Sequence, residues 1–79
     1  MNALPKLGQN LRIARKKKYP QDDLEAFSVR IGVARATLQK MEKGDLSVSF
    51  AKYYQAAEVL GLTNAFDELF TLEVSLFDD

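Results

Sequence analysis

The sequence lacks the residue types on which most enzymatic and metal-binding chemistry depends. Among its 79 residues there is no cysteine, no histidine and no tryptophan. Without cysteine and histidine the chain has no disulfide, no thiolate or imidazole ligand for a metal, and neither of the two commonest catalytic side chains. We therefore expect a protein that is not an enzyme and that uses no cofactor and no metal.

Long apolar runs are missing as well. The first residues, MNALPKLGQNLR, are too polar for a signal peptide, and nowhere do about 18 apolar residues occur together, as a membrane span requires. With 47% hydrophobic and 28% charged residues, the composition is that of a folded globular chain. We expect a single cytoplasmic domain that comprises residues 1–79.

Positive and negative charges are equal in number but occupy different halves of the chain. The sequence has eleven basic and eleven acidic residues, so its net charge is zero. Residues 1–44 contain ten basic and four acidic side chains, a net charge of +6, whereas residues 45–79 contain Lys52 and seven acidic side chains, a net charge of −6. This division indicates a protein with one anion-binding side, and chance segregation of charge in a small domain is the alternative.

Apolar spacing, glycines and capping residues predict five helices. The first runs from Pro5 to Lys18, where apolar side chains recur every three or four residues, and a proline two residues later ends it. The second begins at Asp22, which we expect to form a capping box with Glu25, and it ends at Gly32, where a left-handed backbone suits glycine. Its inward side chains are expected to be Leu24, Phe27, Ser28 and Ile31.

The stretch GVARATLQKMEKG, residues 32–44, contains the third predicted helix. At about 100° per residue, Ala34, Leu38 and Met41 fall on one side, which we expect to be buried. The opposite side combines small, amide and cationic side chains and has no carboxylate. It consists of Ala36, Gln39, Lys40 and Lys43, flanked by Arg35 and Thr37.

A fourth helix with Ser49 as its N-cap and a short fifth helix capped by Thr63 or Asn64 follow. In the fourth helix, Tyr53 and Tyr54 are adjacent and must point to different sides, so we expect one of them in the core. The fifth helix is expected to point three large apolar side chains inward: Phe66, Leu69 and Phe70.

The last nine residues, TLEVSLFDD, have an ambiguous period. Apolar residues alternate with polar ones, as in a half-buried strand, yet some of them also fall near helical spacing, and we favour the strand. A lone strand leaves its backbone groups unpaired, so pairing with the same segment of a second chain is the expected solution. The tail, residues 71–79, is therefore a predicted dimer or partner contact through Leu72, Val74, Leu76 and Phe77.

Three separated segments, LGQNLRIARKKK, IGVARATLQKMEKG and AAEVLGL, are similar to the corresponding segments of the lambda-repressor/Cro (Xre-type) DNA-binding family. The resemblance extends over about residues 7–70. It implies an all-α, five-helix lambda-repressor-like domain with a short C-terminal strand or extended tail, and a helix-turn-helix at about residues 22–43. Within this family, RATLQKMEKGD followed by a fourth helix and an acidic tail looks most like the HipB-like antitoxin regulators encoded beside HipA-like kinase toxins.

The resemblance also implies a mode of DNA binding. Family members form homodimers that place the third helix of each chain in successive major grooves of a palindromic operator and repress transcription. The family's base-reading positions match Arg35, Ala36 and Lys40 of this chain, and Gln39 corresponds to a neighbouring base contact. Its phosphate-contacting positions match Thr37 and Lys43.

Three positions need separate mention. The family often has serine or threonine where this chain has Ala34, which forgoes about 1 kcal/mol of helix capping. The connection before the second helix is longer than usual, and Gln21 is the candidate for a family glutamine that binds phosphate. The basic run RKKK, residues 15–18, is either a solvated helix end whose cations favour the helix dipole or a phosphate contact, for which the candidates are Lys16 and Lys17.

Two functional hypotheses follow. The first is a sequence-specific regulator that binds double-stranded DNA as a dimer and represses transcription, with an antitoxin and autoregulator of a HipA-like kinase toxin favoured over a free-standing regulator. The second is a protein-interaction module that uses the acidic C-terminal half and the apolar tail to cap a partner protein and has lost specific DNA binding. Replacement of Arg35 and Lys40 separates them, because only the first hypothesis needs these side chains.

Overall fold

The protein is an all-α domain of five helices in a computed structural model, which describes residues 3–72. The expected fold class is thereby confirmed, since residues 3–72 contain no strand beyond one isolated antiparallel bridge between Ala3 and Asp45. Most of the tail assigned to dimer or partner contact, Val74, Leu76 and Phe77 included, lies outside the described residues. The helices are α1 (Pro5–Lys18), α2 (Leu24–Ile31), α3 (Arg35–Met41), α4 (Phe50–Leu60) and α5 (Asn64–Asp67).

The core forms where α2, α3 and α4 meet and α1 covers them. Phe27, Leu38 and Met41 are fully buried, and Tyr53 supplies the buried member of the tyrosine pair, whereas Tyr54 is exposed. These four side chains lie on the sides of α2, α3 and α4 that the apolar spacing predicts to be buried. No helix within residues 3–72 has the length and apolarity to cross a bilayer.

The start of α2 differs from the prediction by one residue. Asp23, not Asp22, is the N-cap, and its Oδ1 accepts a hydrogen bond from the backbone N–H of Ala26 at 2.8 Å. Asp22 is drawn away by Arg30, to which it is ion-paired at 2.8 Å. The predicted capping box of Asp22 with Glu25 is therefore wrong. An N-cap side chain accepts a hydrogen bond from the backbone of the third residue after it, and for Asp23 that residue is Ala26.

The fourth helix has the predicted ends, but the fifth is shorter than expected. Ser49 accepts from the N–H of Lys52, and the left-handed Gly61 closes α4. Helix α5 is a single turn, and Thr63 makes no side-chain cap there. Phe66 packs against the core as expected. The helix ends at Asp67, however, and the predicted inward placement of Leu69 and Phe70 is wrong, since both side chains are exposed.

The beginning of α1 lies directly against the loop that follows α3. The backbone N–H of Leu4 donates to the carbonyl of Gly44 at 2.8 Å. A Cβ atom at Gly44 would overlap the Leu4 carbonyl, and one at Gly8 would overlap the Glu42 carbonyl. These two glycines therefore allow a backbone contact that fixes the end of α3 on α1.

Candidate nucleic-acid interface

Helices α2 and α3 are joined by a tight turn, as the predicted helix-turn-helix at about residues 22–43 requires. Gly32 has a left-handed backbone with φ 76°, and its N–H donates to the last turn of α2. The N–H of Val33 then donates to the carbonyl of Ser28 at 3.0 Å. This Schellman-like closure turns the chain sharply, so that α3 starts only four residues after α2 ends.

The buried side of α3 is anchored by two of the three residues predicted for it. Leu38 and Met41 are completely buried, whereas Ala34 is exposed, and its predicted inward placement is wrong. Ala34 is the N-cap and has an extended backbone, so it lies outside the helical wheel that placed it inward. The half-buried Val33 packs against the core at this end instead.

The opposite side of α3 carries the predicted DNA-contacting side chains. Arg35, Ala36, Gln39 and Lys40 are all exposed, Lys43 is exposed just beyond the helix, and Thr37 is half-buried. Two ion pairs are formed within residues 3–72, and neither involves a cation of α3. The outward side of α3 thus offers two cations, an amide and a methyl group to a ligand.

The start of α3 has no side-chain cap, as the sequence predicts for Ala34. No side-chain oxygen accepts from the first amides of the helix. The backbone N–H of Leu38 donates to the Ala34 carbonyl at 3.0 Å, so helical bonding begins normally despite the missing cap. Burial of Leu38 and Met41, rather than capping, therefore holds α3 in place.

A buried ion pair holds α1 against the end of α3. Arg15 donates from Nε to Glu42 Oε2 at 2.6 Å and from Nη2 to Glu42 Oε1 at 3.1 Å. The two side chains are only 7% and 11% exposed. This bidentate geometry fixes Glu42, the C-cap of α3, and it removes Arg15 from the solvated basic run in which the sequence places it.

Arg12 is a candidate phosphate ligand that the sequence analysis does not single out. It lines a cleft of about 400 Å³ together with Gln39 and Lys43 of the DNA-facing side, and the Arg15–Glu42 pair forms the cleft's inner wall. The helical period contains a signal for it, because Arg12 lies three and four residues before Arg15 and Lys16 and shares their side of α1. The cleft joins the cationic side of α1 to that of α3.

The other predicted phosphate contacts occupy different positions. Lys16 and Lys17 are both exposed, and Lys16 is the one that follows Arg12 by four residues and so lies on the cleft side of α1. Gln21 is exposed in the turn before α2, two residues ahead of the N-cap. Lys18 points elsewhere, since its Nζ donates to the carbonyl of Val59 at 3.0 Å.

A small polar cluster stabilises the long connection between α1 and α2. The guanidinium carbon of Arg30 lies 3.9 Å from the ring centroid of Tyr19, and the same guanidinium donates two hydrogen bonds to Asp22. This hydrogen bonding holds the pKa of the Asp22 carboxyl below its usual value. The carboxylate of Asp22, just before the N-cap of α2, is therefore paired with a cation of the same chain.

Comparison with known proteins agrees with this geometry. A family model described as helix-turn-helix matches residues 11–64, which include the second half of α1, all of α2, α3 and α4, and the residues that line the cleft. The chain belongs to this helix-turn-helix family. The match is to the Cro/C1 type, so the expected lambda-repressor/Cro membership is confirmed, and the protein is a DNA-binding transcription regulator. No curated protein and no solved structure gives a match to the chain.

Proposed function

We propose that the protein is a sequence-specific repressor that reads double-stranded DNA with the outward side of α3. The observation that carries the proposal is the exposure of Arg35, Ala36, Gln39 and Lys40 on a helix anchored by two buried side chains. Arg35 and Lys40 suit guanine O6 and N7 as hydrogen-bond donors, Gln39 suits adenine, and Ala36 suits the methyl group of thymine. Base contacts of this kind need a helix that is held rigidly. The buried side chains of Leu38 and Met41 hold α3 in this way.

Phosphate contacts in this proposal come from both sides of the cleft. Thr37 and Lys43 flank the reading side, and Arg12 and Lys16 add cations from α1. Gln21 is a further candidate, and Lys17 is a weaker one because it points away from Arg12 on α1. Such contacts position the protein on the duplex and make its affinity depend on salt, while the base contacts supply the sequence preference.

The regulator acts as a homodimer on a palindromic operator, because one α3 contacts only a few base pairs and two-fold repetition supplies the remaining affinity. The tail, residues 71–79, is a proposed contact in the dimer through Leu72, Val74, Leu76 and Phe77. The resemblance of RATLQKMEKGD to HipB-like regulators supports a role as the antitoxin and autoregulator of a HipA-like kinase toxin. A kinase-like reading frame beside the gene would support that partner.

The second candidate is a protein-interaction module without specific DNA binding. It rests on the net charge of −6 in residues 45–79 and on the exposed apolar side chains there. The cationic, carboxylate-free side of α3 favours the DNA-binding candidate, because a module that only capped a partner would have no use for it.

The test is binding to the DNA just upstream of the gene. We expect Arg35→Ala with Lys40→Ala to weaken specific binding about 30-fold or more, since each base contact contributes about 1 to 3 kcal/mol. Lys6→Ala with Lys52→Ala removes the same charge from positions outside α3 and should retain near-wild-type specificity. Wild-type affinity in the Arg35 and Lys40 variant would rule out α3 as the reading helix.

A further inference from the structure

A guanidinium from the last turn of α2 reaches back to the connection that precedes the same helix. Arg30 donates from Nε to Asp22 Oδ2 at 2.8 Å and from Nη2 to Asp22 Oδ1 at 3.1 Å. Its guanidinium carbon lies 3.9 Å from the centroid of the Tyr19 ring, and the centroid of that ring lies 5.9 Å from that of the buried Phe27. We call Tyr19, Asp22 and Arg30 the Arg30 cluster. It links the end of α1, the connection and the end of α2.

The Arg30 cluster holds one carboxylate in a fixed position. The backbone N–H of Asp22 donates to the Tyr19 carbonyl at 3.1 Å, so the two residues are joined by a turn as well as through Arg30. The Asp22 side chain is only 13% exposed, whereas that of Arg30 is 42% exposed. A bidentate pair whose guanidinium also stacks on an aromatic ring leaves both side chains little freedom. The carboxylate is therefore held beside its counter-charge, and the pair has no net charge.

The position of Asp22 makes its charge relevant to the cleft. Leu24, two residues after Asp22, is one of the residues that line the cleft. Hydrogen bonding to Arg30 is the main cause of the low pKa of the Asp22 carboxyl, and the positive charge of Arg15, on the inner wall of the cleft, lowers that pKa further. The carboxylate therefore lies within electrostatic reach of the cleft.

We propose that Arg30 is a positioning residue for DNA binding, which neutralises Asp22 beside the cleft and so allows a phosphate of the duplex to approach. This inference rests on the proposed DNA-binding function and adds a residue on which the phosphate contacts depend. Like charges repel appreciably within a Debye length, which is about 8 to 10 Å at roughly physiological salt. An unpaired carboxylate at this place would therefore oppose the attraction of Arg12 and Lys43 for the phosphate.

A purely structural role of the ion pair predicts different results. If the pair only held the connection in place, loss of either partner would displace the connection and weaken DNA binding, and loss of both would not restore it. If neutralisation is what DNA binding needs, only the loss of Arg30 weakens binding, because only that change leaves the carboxylate unpaired. A double-mutant cycle on Asp22 and Arg30 separates the two roles.

The experiment measures the dissociation constants of the full chain for two duplexes by fluorescence anisotropy. One duplex is the DNA just upstream of the gene, and the other has an unrelated sequence. The variants are Arg30→Gln, Asp22→Asn and the two substitutions together. Lys6→Gln is the control, because it removes one cation from an exposed side chain of α1 that does not line the cleft. Urea unfolding of each variant ensures that binding is compared among folded proteins.

We expect Arg30→Gln to weaken binding to both duplexes about fivefold, the effect of roughly one repulsive charge pair close to the DNA. Phosphate contacts are independent of sequence, so the factor should be the same for the two duplexes. Asp22→Asn should bind at least as tightly as the wild type. The double variant, which is again neutral at this place, and the Lys6→Gln control should both stay within about twofold of the wild type.

A double variant as weak as Arg30→Gln, or an Asp22→Asn variant weaker than the wild type, would overturn the inference and leave the pair a structural role. A control that weakens binding as much as Arg30→Gln would also overturn it, because the effect would then follow total charge and not position. If the wild type binds the two duplexes equally, the proposed sequence-specific function fails instead, and the cycle on either duplex still tests Arg30.

Discussion

At the scale of single residues, the ion pair between Arg15 and Glu42 holds α1 against the end of α3. Arg15 belongs to the run RKKK, for which the sequence leaves open a solvated helix end or a phosphate contact, but it is buried against Glu42, 27 residues away. A helical wheel places Arg15 at the margin of the apolar side of α1, and nothing local identifies its partner. Buried pairs of this kind depend on tertiary contacts, so the sequence alone could not predict it.

We predict that Glu42→Gln destabilises the protein by about 3 kcal/mol, because it leaves the Arg15 guanidinium buried without its counter-charge. Asp22→Asn is the matched control: it makes the same change in an ion pair whose arginine is 42% exposed, and it should cost less than about 1 kcal/mol. Urea unfolding at neutral pH measures both free energies. Equal costs for the two substitutions would contradict the structural role given to the Arg15–Glu42 pair.

At the scale of elements, local signals predicted most of the fold. Glycines, prolines and apolar spacing gave the bounds of α1, the left-handed ends of α2 and α4, and the Ser49 cap, because these features depend on neighbouring residues. The errors occurred where a distant residue decides the outcome. Asp22 forms an ion pair with Arg30 and so does not cap α2. Helix α5 is a single turn without a fully buried residue, and it ends before Phe70.

We predict that Gly44→Ala is more harmful than Gly32→Ala, although both glycines have positive φ. At Gly32 nothing lies near an added Cβ, so alanine should cost only the left-handed backbone, about 1 to 2 kcal/mol. At Gly44 the Cβ would also overlap the Leu4 carbonyl, which should add about 1 to 3 kcal/mol. Thermal unfolding of the two variants measures the difference, and a Gly44→Ala variant as stable as Gly32→Ala would mean that α1 does not hold the end of α3.

At the scale of the whole molecule, the division of charge acquires a structural meaning. The half with a net charge of +6 forms the cleft and the outward side of α3. The charge count includes Arg12 and the helical period places it beside Arg15 and Lys16, but its proximity to Gln39 and Lys43 depends on how α1 packs and could not be predicted. The assignment of individual DNA contacts and the strand in the tail remain predictions.

We predict that Lys16→Gln and Lys17→Gln have different effects on the salt dependence of DNA binding. Lys16 lies on the cleft side of α1 with Arg12, so its loss should reduce the slope of log K against log salt by about one unit. Lys17 points about 140° away from Arg12 and should leave the slope nearly unchanged. Fluorescence anisotropy measures both slopes at salt concentrations from about 50 to about 200 mM, where such slopes are steep. If the two variants have the same slope, Lys16 makes no phosphate contact and is a solvated cation at the end of α1.

Mapping the DNA-bound surface of the protein shows whether α3 reads DNA. Isotope-labelled full chain would be titrated with the duplex that it selects, while backbone amide shifts are followed by nuclear magnetic resonance. We expect the largest shift changes at Arg35 to Lys40, smaller ones around Arg12, and little change in the middle of α4. Large changes in α4 with an unaffected α3 would contradict DNA reading by α3.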